Sequence, residues 1–146
     1  MTNPIFDSEA HAISGDLMAW ITDPPGMVNQ VTYGSRVTAK VALDMTIEVD
    51  RAMRARWPRK KYIYVHDFSR AVGYDEEAVR ILVEWGKNSM NDVAAIVVVV
   101  GTQHSELEKV GVYSGKIALK IFGVPMEISE SIDETIKRYG IRPASL

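Results

Sequence analysis

Two short segments of this 146-residue chain carry the residue types from which chemistry is usually built: His66-Asp67-Phe68-Ser69, and Gly101-Thr102-Gln103-His104-Ser105. A histidine beside a carboxylate can act as general base for a hydroxyl, with Ser69 or Ser105 as nucleophile. Adjacent strand residues point to opposite faces, however, so His66 and Asp67 are not expected to pair with each other, which disfavours a triad. A metal site needs at least three convergent ligands, and His66, His104 and Asp75 have no recognised ligand spacing. An anion site at the helix start near residue 75 is disfavoured because Asp75, Glu76 and Glu77 already occupy its positive end. No catalytic residue, metal or cofactor is therefore expected. The two segments remain as a candidate ligand rim of His66, Asp67, Thr102 and His104, suited to a small or lipid-like apolar molecule.

Both segments follow apolar runs. Ala94-Ala95-Ile96-Val97-Val98-Val99-Val100 has no polar residue at any second position, the pattern of a strand buried on both faces in a parallel sheet. Tyr62–Asp67 reads as a second such strand. Between them the spacing predicts a helix over Asp75–Asn88 with Ala78, Val79, Leu82, Val83 and Trp85 inward; Gly86 marks a close approach to the sheet or fraying. If the two strands are parallel neighbours, their carboxyl ends share one rim. The fold class is α/β, a single-domain mixed sheet with an N-terminal antiparallel hairpin, parallel central strands and packed helices.

The hairpin is read from 10–13 and 16–22, a turn at Asp23-Pro24-Pro25-Gly26 with Gly26 at positive φ, and a return over 27–32. Val37, Val41, Met45, Val49 and Met53, each four apart, predict the longest helix over 35–57, ended by Pro58. The cations Arg51, Arg54, Arg56, Arg59, Lys60 and Lys61 gather at its end, where they complement the helix dipole. A further helix over 106–120 directs Leu107, Val110, Ser114, Ile117, Ala118 and Ile121 inward. A short strand at 126–128 precedes a last helix that opens on the Ser131/Glu134 capping box and ends before Gly140. The core spans about residues 10–139, with loose termini at 1–7 and 141–146.

Composition narrows the function. Seventeen basic against nineteen acidic residues give a net charge of −2, which offers no general field for nucleic acid. The absence of cysteine removes disulfides and thiolate chemistry and fits the cytoplasm. No apolar run approaches the ~20 residues of a membrane span. An exposed hairpin edge or the glycine-bearing helix over 106–120 would serve a homo-oligomer. The loop 68–74 is rich in apolar groups for a strand-to-helix connection, with Phe68, Val72 and Tyr74 beside the acidic helix start.

The run His66-Asp67-Phe68-Ser69-Arg70-Ala71-Val72-Gly73-Tyr74-Asp75-Glu76-Glu77-Ala78-Val79-Arg80-Ile81-Leu82, set between two buried strands, resembles the STAS superfamily. It is most similar to bacterial single-domain STAS-like proteins of unknown role, over roughly residues 17–139. The resemblance implies a non-enzymatic regulatory module that binds a protein partner around the helix start, through Phe68, Ser69, Val72, Tyr74, Asp75 and Glu76. Asp67 and Asp75 match the two aspartates of the anti-sigma-factor antagonists. Glu76 stands where those proteins carry a phosphorylated serine. A permanent single negative charge replaces the reversible phosphate there, so the phosphoswitch is not implied.

Overall fold

The structure is a computed structural model that describes residues 4–10, 12–101, 106–121 and 123–144. Its strands are β1 (Ala12–Ser14), β2 (Leu17–Asp23), β3 (Gly26–Val31), β4 (Arg36–Val37), β5 (Tyr62–Asp67), β6 (Gly73–Tyr74), β7 (Val93–Val99), β8 (Met126–Ser129) and β9 (Arg142–Pro143). A long helical segment runs as α1 (Ala39–Leu43), a π turn (Asp44–Val49) and α2 (Asp50–Arg56); α3 is Glu76–Asn88, α4 Glu106–Ile121 and α5 Ile132–Tyr139.

The apolar runs sit where a doubly buried strand must sit. β5 pairs in parallel with β7, His66 opposite Val98 and Asp67 opposite Val99. The main sheet has the order β1-β2-β3-β5-β7-β8, with β9 pairing β2. The β1–β2 and β2–β3 pairs are antiparallel; β3–β5, β5–β7 and β7–β8 are parallel. The result is a mixed α/β sheet whose parallel strands all end on one rim. Alternation sends Tyr62, Tyr64, His66, Ile96 and Val98 to a first face, beneath the long helix, α3 and α4. Val28, Val65, Val97 and Val99 go to a second face, against Ile132, Ile136 and Tyr139 of α5.

The long helix departs from a plain α-helix in an instructive way. A strict four-residue spacing drifts by about 40° per step at 3.6 residues per turn, so three steps carry a stripe about 120° off its face. Yet Val41, Met45, Val49 and Met53 are all buried in one cluster. The π turn corrects the drift: the Asp50 N–H bonds the Met45 carbonyl, five residues back, and the slower winding returns the stripe to the sheet.

Several expectations are corrected. The helix starts at Ala39, capped by the Thr38 side chain, because 36–37 instead form a parallel pair with 73–74. Gly26 lies inside β3, not at positive φ. The turn runs through Pro24 and Pro25 with a cis Asp23–Pro24 peptide, and a Cβ on Gly26 would stand 2.0 Å from the Ile63 carbonyl oxygen. Gly86 marks close approach to Leu119 of α4 rather than to the sheet, a Cβ there standing 2.8 Å from Leu119 Cδ2. On α4 the inward stripe is Val112, Gly115 and Leu119, while Ile117 is exposed; the side chains of 107, 110, 114, 118 and 121 lie outside the description.

The termini are not loose where they are described. Phe6 meets the Trp20 ring edge-on at 5.6 Å, and Trp20 Nε1 donates to the Ser8 carbonyl at 2.8 Å. At the other end Ile141 is buried, β9 pairs β2, and the Ala144 N–H bonds the Ile21 carbonyl. Both segments cover the second face, which the eight-residue α5 is too short to close alone. Among the described residues no helix is long and apolar enough to cross a membrane.

Candidate functional site

The rim is built from the ends of β3 and β5. Parallel register sets Asn29 opposite His66 and Gln30 opposite Asp67. All four polar side chains are buried. On the first face the Asn29 amide nitrogen and His66 Nδ1 lie within hydrogen-bond distance, 3.3 Å apart. Phe68 stacks on the imidazole with centroids 6.0 Å apart, and Trp85 meets it edge-on at 6.2 Å. Complete burial pulls the His66 pKa down from an ordinary 6.5 to about 4, so the ring is neutral.

On the second face Gln30 Nε2 donates to Asp67 Oδ2 at 3.4 Å, while Asp67 Oδ1 accepts from the Ser69 N–H at 3.0 Å and the Ser69 hydroxyl at 2.5 Å. Burial raises the Asp67 pKa; the Ser69 and Gln30 hydrogen bonds work against that rise. The Asn29 and Gln30 amide oxygens are both buried without a hydrogen-bond partner, at about 1–3 kcal/mol each. The Ser69 hydroxyl is thus committed to Asp67, on the face away from His66, and the base–nucleophile pairing of the two is not assembled. The sequence motifs single out neither amide. The available signal was a pair of amides, Asn29-Gln30, inside the otherwise apolar Met27–Val31.

The loop after β5 is laced to the segment before α1. The Gly34 N–H bonds the Arg70 carbonyl, Val72 N–H the Ser35 carbonyl, and Asp75 N–H the Val37 carbonyl, while Phe68 N–H reaches back to Val99. Phe68 and Tyr74 are buried, 3% and 5% exposed, with ring centroids 6.1 Å apart. That corrects the expectation that both offer apolar contact to a partner: they anchor the loop from beneath. Val72, 59% exposed, remains outside, and Tyr33 in the turn after β3 is 70% exposed. Asp75 precedes α3 without capping it through its side chain; its carboxylate meets Arg36 Nε at 2.5 Å instead. Glu76 is exposed, and Glu77 is held below the usual carboxylate range by Arg80.

Thr102 and His104, expected on the same rim, lie outside the described residues, as does Ser105. Among the described residues no group of three or more side chains is placed to hold a metal ion. Comparison with known proteins finds no match among family models, curated proteins or solved structures.

Proposed function

We propose that this chain is a STAS-like, non-enzymatic regulatory module of the cytoplasm, whose partner surface is the 68–74 loop with the first turn of α3. The observation that carries this reading is the ladder of backbone hydrogen bonds tying 34–37 to 70–75. It fixes the loop, with Val72 exposed at its tip, in one conformation before any partner arrives, which removes much of the ordering cost of association. Val72 supplies the apolar contact and Glu76 the charge selection. Phe68 and Tyr74 hold the loop's height from inside, and Asp75 is kept in place by Arg36. The mixed sheet with parallel central strands, and the His-Asp strand end leading to the helix at residue 76, support the STAS-like reading.

The test is a paired substitution, Val72→Asp with Glu76→Lys, both at exposed positions. A protein captured by the wild-type chain should be lost from the variant, while the thermal midpoint stays within a degree or two, as expected for surface changes of about 0.5 kcal/mol. Retention of that partner at full strength would overturn the assignment.

A further inference from the structure

The cations gathered where the long helix ends do not all serve that helix. α2 stops at Arg56, and a helix field falls off within the last turn, so it accounts for Arg54 and Arg56 but not for Arg59, Lys60 and Lys61, which follow beyond Trp57. All three are exposed. Among the described residues no carboxylate pairs with them: Glu48 is taken by Arg51, Asp50 and Asp92 by Arg54, and Asp23 by Arg142. Arg59 moreover holds a positive φ of 58°, where glycine would sit without steric cost. A cation kept at such a position points to a use for its charge.

The segment is held firmly. The Tyr62 hydroxyl donates to the Trp57 carbonyl, and Trp57 packs against the core of the first face. The exposed Arg56 lies over the Trp57 ring, 4.5 Å from its centroid, while Tyr62 and Tyr64 are buried, so the segment offers no open aromatic face on which a nucleic-acid base could stack. The Arg54–Asp92 ion pair brings the turn at 90–92 to the same end of the molecule, where Met90 is exposed.

We infer that this end docks on an anionic lipid surface, with Arg56, Arg59, Lys60 and Lys61 among the headgroups and Met90 as the apolar contact beside them. The patch stands where β5 begins, at the end opposite the rim, and the inference is independent of the partner surface above.

The probes are phosphatidylcholine vesicles with and without phosphatidylserine, read by co-sedimentation of the full chain, and oligouridylate, read by fluorescence anisotropy. Wild-type protein should sediment with the anionic vesicles at about 0.1 M salt, be released at about 0.5 M, and leave the neutral vesicles alone. Lys60→Gln with Lys61→Gln should weaken the binding about 25-fold, at about fivefold per cation. Lys40→Gln with Arg80→Gln removes the same charge from the first turns of α1 and α3 and should change it less than about twofold. Arg59→Gly, relieved of the positive-φ cost, should bind about fivefold more weakly, and it keeps the test standing if the double variant fails to fold. No sedimentation with the anionic vesicles, equal sedimentation with the neutral ones, equal losses in the two double variants, or tighter binding to oligouridylate than to the vesicles would each overturn the assignment.

Discussion

Across the parallel pair of β3 and β5, the Asn29 amide nitrogen stands 3.3 Å from Nδ1 of His66, and the imidazole it holds is buried and neutral. With the His66 pKa lowered from 6.5 to about 4, the folded chain binds fewer protons than the unfolded chain between those values. The contribution of His66 is therefore fully present above pH 6.5 and is lost as pH falls to about 4, by about 3 kcal/mol in all. His66→Phe should remove this part of the pH dependence, read as a flatter change in urea midpoint between pH 6.5 and 4. An unchanged slope would show that the imidazole is protonated within the fold.

Asp67 titrates with the opposite sign. Its raised pKa means that the fold favours the protonated carboxyl. That contribution is present below the ordinary 3.8 and lost as pH rises through the folded value. Asp67→Asn keeps an acceptor for Ser69 and gives the Gln30 amide oxygen, now without a partner, a donor to accept from. The variant should have a higher urea midpoint than wild type at pH 7, with the difference shrinking toward pH 3. A lower midpoint at pH 7 would mean that the carboxylate itself stabilises the rim.

Two glycines should respond very differently to alanine. At Gly26 the added Cβ meets a backbone oxygen of β5 at 2.0 Å, so the β3–β5 pairing itself must shift; we expect a loss of about 3 kcal/mol or more. At Gly86 the Cβ meets the flexible end of Leu119 at 2.8 Å, and the gain in helix propensity of up to about 1 kcal/mol offsets the crowding. Denaturant unfolding of both variants checks this, with Gly86→Ala within about 1 kcal/mol of wild type.

The long helix is tied to the sheet by a polar network at the end opposite the rim. Arg54 donates to Asp50 at 2.8 Å, to Asp92 at 2.9 Å and to the Tyr64 hydroxyl at 3.2 Å, and that hydroxyl donates to the second oxygen of Asp50 at 3.3 Å. Tyr64→Phe leaves the ion pairs standing and should cost about 1 kcal/mol. Arg54→Met strips Asp50 of its cation and should cost about 2 kcal/mol, less than a fully buried pair because the guanidinium is partly exposed. Equal urea midpoints for the two variants would show that the hydroxyl, not the ion pair, holds the helix.

Much of this architecture is local enough to be written in the chain. The β-branched run from Ala94 can bury both faces only in the interior of a sheet. Pro58 must stop a helix, and Ser131 with Gly140 must bracket one; their positions in the structure follow. Even the π turn leaves a mark there, in the strict four-residue spacing of Val41, Met45, Val49 and Met53, which an ordinary α-helix cannot keep on one face. The candidate site was legible only in outline. Its position after β5 followed from the sequence, but Phe68 and Tyr74 looked like contact residues because nothing local says that 34–37 will pair alongside their loop.

The sequence by itself determined the longer strands and helices, and that the central strands run parallel, because side-chain periodicity reports how a segment meets the interior; the two-residue strands 36–37, 73–74 and 142–143 carry no such period. The tertiary structure alone decided that Asn29 meets His66 and that the terminal segments close the second face. Those are relations between segments far apart in the chain, fixed by strand order and register, and a residue's own neighbours in sequence carry no information about them.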